Sequence, residues 1–129
     1  MWLDRIFFAC LAMSLVAACA SSGGVRSTAE GGTDPENPTT KAAALYTDLG
    51  QKYLAQGKLE SSLENLKKAL AADPNYADAH TVIGLLYEQI GDNAKAEQNY
   101  RRAAQLMPKS GNENNNYAAF LCKLGKYDE

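Results

Sequence analysis

At 129 residues the chain has room for one ordinary domain with short extras. Its formal net charge is −2, and its 13 cationic residues are scattered singly or as the pairs Lys67-Lys68 and Arg101-Arg102 among 15 acids. No clustered basic stripe of the kind that grips phosphate backbones is present, so nucleic acid is not an expected partner; a small-molecule substrate is not expected either, for want of the motifs considered below.

The chain opens on "MWLDRIFFACLAMSLVAACA", in which Arg5 precedes an uncharged run from Ile6 to Ala18. Thirteen residues span about 20 Å as a helix, too short for a bilayer core of roughly 30 Å. The run therefore reads as a removable signal peptide over residues 1–18. The segment "LVAAC" at 15–19 resembles a bacterial lipobox, with small residues Ala17 and Ala18 ahead of a thiol. That resemblance implies diacylglycerol and N-acyl attachment at Cys19, and no other cofactor is expected. With about 0.8 kcal/mol per buried methylene, three acyl chains would hold the protein permanently on a membrane. Ala20 after the cysteine implies the periplasmic face of the outer membrane. Cys10 leaves with the signal peptide, so Cys122 remains the one free thiol, an unusual residue for an oxidising compartment.

Residues 19–41 carry Gly, Ser, Thr and Pro with few large apolar groups and are expected to form a flexible linker. As a coil its ends would lie about 25 Å apart. From residue 42 the composition turns to helix-favouring Ala, Leu, Lys and Glu, and a period appears. Tyr46, Leu49, Gly50 and Tyr53 are answered 34 residues on by His80, Ile83, Gly84 and Tyr87. Ser62, Leu66, Ala69 and Pro74 are answered by Ala96, Tyr100, Ala103 and Pro108, while Gly57, Gly91 and Gly125 mark one turn in each copy. The spacing and its small and aromatic positions resemble the tetratricopeptide repeat, TPR. That resemblance implies an all-α fold of helix-turn-helix repeats in a right-handed superhelix. The domain runs over 42–129, with repeats 43–76 and 77–110 and a partial third over 111–129.

The period predicts helices near 42–56, 59–72, 76–90, 93–107 and 111–124. Gly50 and Gly84 should let each first helix approach small residues of the second, Ser62/Ala69 and Ala96/Ala103. Pro74 and Pro108 stop the second helices, since proline cannot continue the hydrogen-bond ladder. Asn75 with Asp78, and Ser110 with Glu113 as a capping box, should open the helices that follow.

Candidates for chemistry are few. His80, the only histidine, falls on the repeat's aromatic packing position, and no Cys/His spacing, glycine-rich phosphate loop or nucleophile elbow accompanies it. Catalysis is not expected. The superhelix instead implies a concave groove lined by the first helices. In the first repeat it takes Ala44, Thr47, Asp48, Gln51, Leu54 and Ala55, among which Thr47 and Gln51 are candidate partner contacts. In the second, Asp78, Thr81, Leu85 and Glu88 are candidates, and in the third Asn112, Asn115, Asn116 and Ala119. The asparagine amides can pair with both donors and acceptors of an extended backbone, or remain solvated or cap the helix. The lysine and arginine positions with which chaperone adaptors of this repeat class grip a terminal carboxylate are absent.

The closing stretch "NNYAAFLCKLGKYDE" resembles the third repeat of the type IV pilus biogenesis lipoproteins of the PilF/PilW family. The resemblance rests on Asn115, Asn116, Tyr117, Phe120, Leu121, Cys122, Gly125, Tyr127, Asp128 and Glu129. It implies a non-enzymatic pilotin, an outer-membrane lipoprotein that binds the pilus secretin and promotes its localisation and multimerisation. A TPR lipoprotein adaptor for peptidoglycan hydrolases or outer-membrane protein assembly is the alternative. Proteins of that family run longer, so the chain reads as truncated. The last helix would then lack its mate, which predicts marginal stability and an exposed apolar face near Leu121 and Leu124, unless that helix serves as the cap. Cys122 reads as a buried small side chain or as a thiol whose disulfide partner is lost.

Overall fold

A computed structural model describes residues 37–126. The signal peptide, Cys19, the linker through residue 36, and Tyr127, Asp128 and Glu129 lie outside the described residues. Five helices follow in order: α1 Pro38–Ala55, α2 Leu59–Ala72, α3 Ala77–Gln89, α4 Asn93–Leu106 and α5 Gly111–Lys123. The first begins at residue 38 rather than 42, because the end of the expected linker carries its own start signal. The Asn37 side chain accepts from the Thr39 amide at 3.0 Å and from Thr39 Oγ1 at 2.8 Å. Pro38 sits in the first turn, where its missing N–H has no intrahelical partner to lose. Thr40 Oγ1 then donates to Asp73 Oδ2 at 3.3 Å, joining the start of α1 to the end of α2.

The helices pair as α1 on α2 and α3 on α4, and α5 packs on α4. The first helices also touch in sequence, α1 to α3 and α3 to α5, so they form one layer, with α2 and α4 packed behind it and α2 also reaching α3. The middle helix has neighbours on every side, which is why it buries Ala77, Ala79, Thr81, Val82, Ile83, Gly84 and Leu86 rather than a single stripe. The second helices bury only one stripe each, Ser62, Leu66 and Ala69 in α2, and Ala96, Tyr100, Ala103 and Leu106 in α4. Leu66, Val82, Ile83 and Leu86 form the central cluster, flanked by Ala43, Ala69 and Ala79 on one side and by Ala96, Tyr100 and Phe120.

Helix approach depends on the two glycines, with Ser62 facing Gly50 as expected but with the large side chains Leu66 and Tyr100 in place of Ala69, Ala96 and Ala103. A Cβ on Gly50 would lie 2.7 Å from Leu66 Cγ and 3.3 Å from the Ser62 carbonyl oxygen. One on Gly84 would lie 3.0 Å from the Tyr100 ring. The large side chains Leu66 and Tyr100 lie directly over the bare backbone, whereas Ala69 packs with Ala43 and Ala79. Ser62 adds a hydrogen bond, its Oγ donating to the Gly50 carbonyl at 2.8 Å.

Gly57, Gly91 and Gly125 all have positive φ, 73°, 79° and 73°, and close the first helices identically. The amide after each glycine donates back across the turn, Lys58 to Tyr53, Asp92 to Tyr87 and Lys126 to Leu121, each at 2.9 Å. This doubly bonded turn needs a left-handed residue, which only glycine adopts freely.

Three local expectations are corrected. Tyr76, not Asn75, is the N-cap of α3, with no side-chain cap bond. Asn75 is held elsewhere, its amide donating to Asp73 Oδ1 at 3.0 Å and its Oδ1 accepting from Arg102 at 2.8 Å. Ser110 does cap α5, but its hydroxyl bonds the Glu113 carboxylate instead of a backbone amide, so no reciprocal capping box forms. The apolar face expected near Leu121 and Leu124 is not exposed either. Leu121 is 6% accessible, and Leu124 is half-buried against the cluster of Tyr100 and Phe120, whose rings lie 5.1 Å apart. Packing of α5 on α3 and α4 alone covers these side chains, and the rest of its surface is small or polar.

Candidate protein-binding groove

The first helices leave a groove of about 340 Å³ across α1, α3 and α5. Thr47 and Gln51 border it from α1, Asp78, Thr81 and Leu85 from α3, and Asn112, Asn115 and Asn116 from α5. Eight of the ten candidate contacts thus share one hollow. Glu88 borders the adjoining hollow of about 310 Å³, together with Leu54, Gln89 and Lys123, and Leu85 belongs to both, which makes the two continuous. Ala119 is exposed on α5 but borders neither. Their convergence follows from the period, since positions 34 residues apart, such as Thr47, Thr81 and Asn115, fall on one side of successive first helices.

Equivalent positions have different hydrogen bonding. Thr47 is buried and its Oγ1 donates to the Ala43 carbonyl at 2.8 Å, the usual return bond within a helix. Thr81 is also buried, at 8% accessibility, yet its Oγ1 has no partner among the described residues. Among the described residues the side-chain amides of Asn112, Asn115 and Asn116 have no hydrogen-bond partner, whereas neighbouring Asn114 is committed to the carbonyls of Pro108 and Ser110, each at 2.9 Å.

The groove's floor is acidic. Asp48, Asp78 and Glu113 border it with Tyr76, and no lysine or arginine does. Burial, then the neighbouring Glu113 carboxylate, pushes the Asp78 carboxyl above the usual carboxylate range; Tyr76 pulls back and Asp48 adds a smaller push. Burial and the charge of Asp78 raise the Tyr76 phenol to about 12. At the other end Glu88 is satisfied. Its Oε2 accepts from Tyr100 Oη at 2.8 Å and its Oε1 from Lys123 Nζ at 2.7 Å. Burial alone would raise the Glu88 carboxyl, but the Lys123 and Tyr100 hydrogen bonds outweigh it and hold it below its ordinary value.

Tyr76 and Glu113 were not among the sequence candidates for the groove. Glu113 carried a signal that pointed elsewhere, to capping. Tyr76 follows directly on the turn that ends α2, so its side chain could have been placed only by knowing how that turn folds back.

Other features are structural. His80 is half-buried, with Nδ1 3.2 Å from Asn99 Oδ1 and Nε2 3.2 Å from the Pro74 carbonyl, which joins the α2–α3 turn to α4. It borders a hollow of about 670 Å³ against α4, larger than the groove, whose charged lining residues are already engaged, among them Glu97 with Arg101 at 2.7 Å and Arg102 with Asn75 at 2.8 Å. Among the described residues no group of three His, Cys, Asp or Glu side chains is placed to hold a metal ion, and no helix is long and apolar enough to cross a membrane. Cys122 is exposed rather than buried.

Comparison with known proteins agrees with this architecture. Residues 50–91 match a family described as TPR repeat, and residues 77–110 match the tetratricopeptide repeat. The type IV pilus assembly protein PilF of Pseudomonas aeruginosa is 33% identical over 89 residues, 69% of this chain and 35% of that protein. An uncharacterized protein of Haemophilus influenzae is 34% identical over 68% of this chain and 49% of its own length. A solved structure from the functional characterization of P. aeruginosa PilF superposes with a TM-score of 0.67 at 30% identity, over 71% of this chain and 41% of that one. The chain thus spans half or less of the length of these relatives. By sequence and by fold it is a tetratricopeptide-repeat protein homologous, over part of its length, to the type IV pilus assembly protein PilF.

Proposed function

We propose that the chain is an outer-membrane pilotin for type IV pilus biogenesis. Residues 1–18 are its leader, acylated Cys19 its anchor, and the stretch that follows a linker giving the repeats reach into the periplasm. The repeats bind subunits of the pilus secretin and promote their localisation and assembly into a ring, with no bond made or broken. The observation that carries this reading is the concave groove, bordered by twelve polar and apolar residues that include eight of the sequence candidates, on a chain homologous to PilF. Unpartnered asparagine amides beside Leu85 and Val82 suit an extended segment, which offers backbone donors and acceptors together with side chains to bury.

Deleting the gene should abolish secretin multimers and surface pili, and unchanged multimers would refute the proposal. Capture of partners by the tagged full chain from detergent-solubilised membranes should retrieve the secretin. Retrieval of peptidoglycan hydrolases or the outer-membrane protein assembly machinery in its place would establish the adaptor role instead. The anchor has a separate check: Cys19→Ala should lose labelled palmitate and its outer-membrane fractionation, and retention of both would disprove acylation there.

A further inference from the structure

Leu45 is the most exposed large apolar side chain among the described residues, at 61% accessibility. Its place in the repeat makes that exposure unusual. The residues 34 and 68 positions further on, Ala79 and Glu113, are buried, at 0% and 6%. Ala79 packs on Ala43 and Ala69 of the repeat before it, and Glu113 lies beside Asp78. Both later repeats thus use this position to seat on the repeat that precedes them. In α1 the same position holds a larger apolar residue, and no described element covers it. The contacts of α1 are with α2 and α3, through the buried stripe of Thr40, Ala43, Thr47 and Gly50. At 3.6 residues per turn, Leu45 stands opposite the middle of that stripe.

The flanks of Leu45 are sorted by chemistry. Lys41 and Asp48 lie to one side of it on the helix surface, and Ala42 and Leu49 to the other. Lys41 and Asp48 are exposed, and neither forms an ion pair among the described residues.

This face is complementary to itself. Two α1 helices can cross antiparallel about a two-fold axis that passes beside Leu45, perpendicular to both. Such an axis reverses the chain direction and keeps each flank on its own side. Leu45 then meets Leu45 of the second copy. Lys41 falls beside its Asp48 and Ala42 beside its Leu49, each offset by one residue, about 1.5 Å along the axis. A parallel pairing would instead set Lys41 level with Lys41 and Asp48 level with Asp48. The stretch entering α1 is a poor rival for the same surface, since Val25 is the one large apolar residue from 20 to 36.

We infer that the outward face of α1 is a self-association surface, on which two copies of this chain pair through antiparallel α1 helices with Leu45 at the centre. One helix face buries less than the roughly 1,200 Å² of a stable interface, so the pairing is weak and reversible. Asp48 stands on the flank that borders the groove with Thr47 and Gln51. The two-fold axis keeps that flank on one side, so the grooves of both copies open in the same direction.

The test places a benzophenone side chain at position 45 of the full chain in cells, with a differently tagged copy co-expressed. Irradiation should join the two tags, and the crosslinked peptide should map to α1 of the second copy. Lys41→Asp or Asp48→Lys should each lower the crosslink yield at least about threefold, because symmetry repeats the altered contact twice. The exchanged pair Lys41→Asp/Asp48→Lys should restore it, which a loss of folding or of expression would not allow. Crosslinking of position 45 only to another protein, only within its own chain, or to nothing would overturn the inference. So would single charge reversals without effect, or an exchanged pair that crosslinks no better than either single variant.

Discussion

The contact between Gly50 and Leu66 can be tested by exchanging volume across it. Leu66 is fully buried, and its truncation to alanine should cost about 2–5 kcal/mol, from lost burial and the cavity left among Gly50, Val82, Ile83 and Leu86. Gly50→Ala alone places a methyl 2.7 Å from Leu66 Cγ and 2.9 Å from its Cδ2. Overpacking of that kind costs about 1–3 kcal/mol, offset by up to about 1 kcal/mol of improved helix propensity. The double variant is the informative one, because removing the leucine's branch vacates the space that the new methyl needs. Only the Ser62 carbonyl oxygen, at 3.3 Å, remains close. Urea unfolding followed by circular dichroism should give a double variant at least about 1 kcal/mol more stable than the sum of the single losses predicts. Additivity within about 0.5 kcal/mol would mean that Leu66 does not lie over Gly50 and that the helix pair meets in another register.

Four further outcomes follow from the same structure. Glu88 is held below its ordinary carboxyl value of 4.5, so its link to Lys123 stabilises the fold at neutral pH and fades as pH falls through the folded value; Lys123→Ala should lower stability at pH 7, with the loss shrinking as the solution is acidified below the ordinary carboxyl value. Asp78 has the opposite sign. Its carboxyl is raised above 3.8, so its ionisation destabilises, and Asp78→Asn should stabilise at pH 7 with the gain vanishing at low pH, as paired urea titrations at the two pH values would show. Gly91→Ala, at φ 79°, should lose about 1–2 kcal/mol in thermal or urea unfolding, and Gly91→Asn less, because asparagine tolerates the left-handed turn. Cys122 should be alkylated by iodoacetamide in the native protein at nearly the unfolded rate, read by peptide mass mapping, in keeping with its exposure.

Much of the fold was legible because a repeat imposes the same steric demands twice. Gly57, Gly91 and Gly125 could be assigned to left-handed turns, and Gly50 and Gly84 to close approaches, since each demand recurs 34 residues later. The face assignment carried over equally, placing Thr47, Thr81 and Asn115 around one groove. Local hydrogen bonding was less legible, because a capping pattern names groups that are able to bond and not the neighbours that compete for them. Ser110 and Glu113 have the residue types of a capping box, yet Glu113 is drawn into the groove floor beside Asp78, and the hydroxyl follows its carboxylate. The last helix departs for a tertiary reason. Tyr100 offers Phe120 a ring 5.1 Å away, and docking there turns Leu121 inward and leaves Cys122 outside. None of those distances is encoded in spacing along α5. The acidity of the groove was hidden likewise, because Asp48, Asp78 and Glu113 come from three helices and meet only when the first helices stack.

The central claim is that the concave face holds the pilus secretin. Site-specific photocrosslinking in cells tests it directly, with a benzophenone side chain introduced at Asn115 in the groove and, separately, at the exposed position Glu60 on the second helix α2. The structure and the proposed role predict a crosslink to the secretin from position 115 and none from 60. A secretin crosslink from 60 alone, or from neither position, would contradict them.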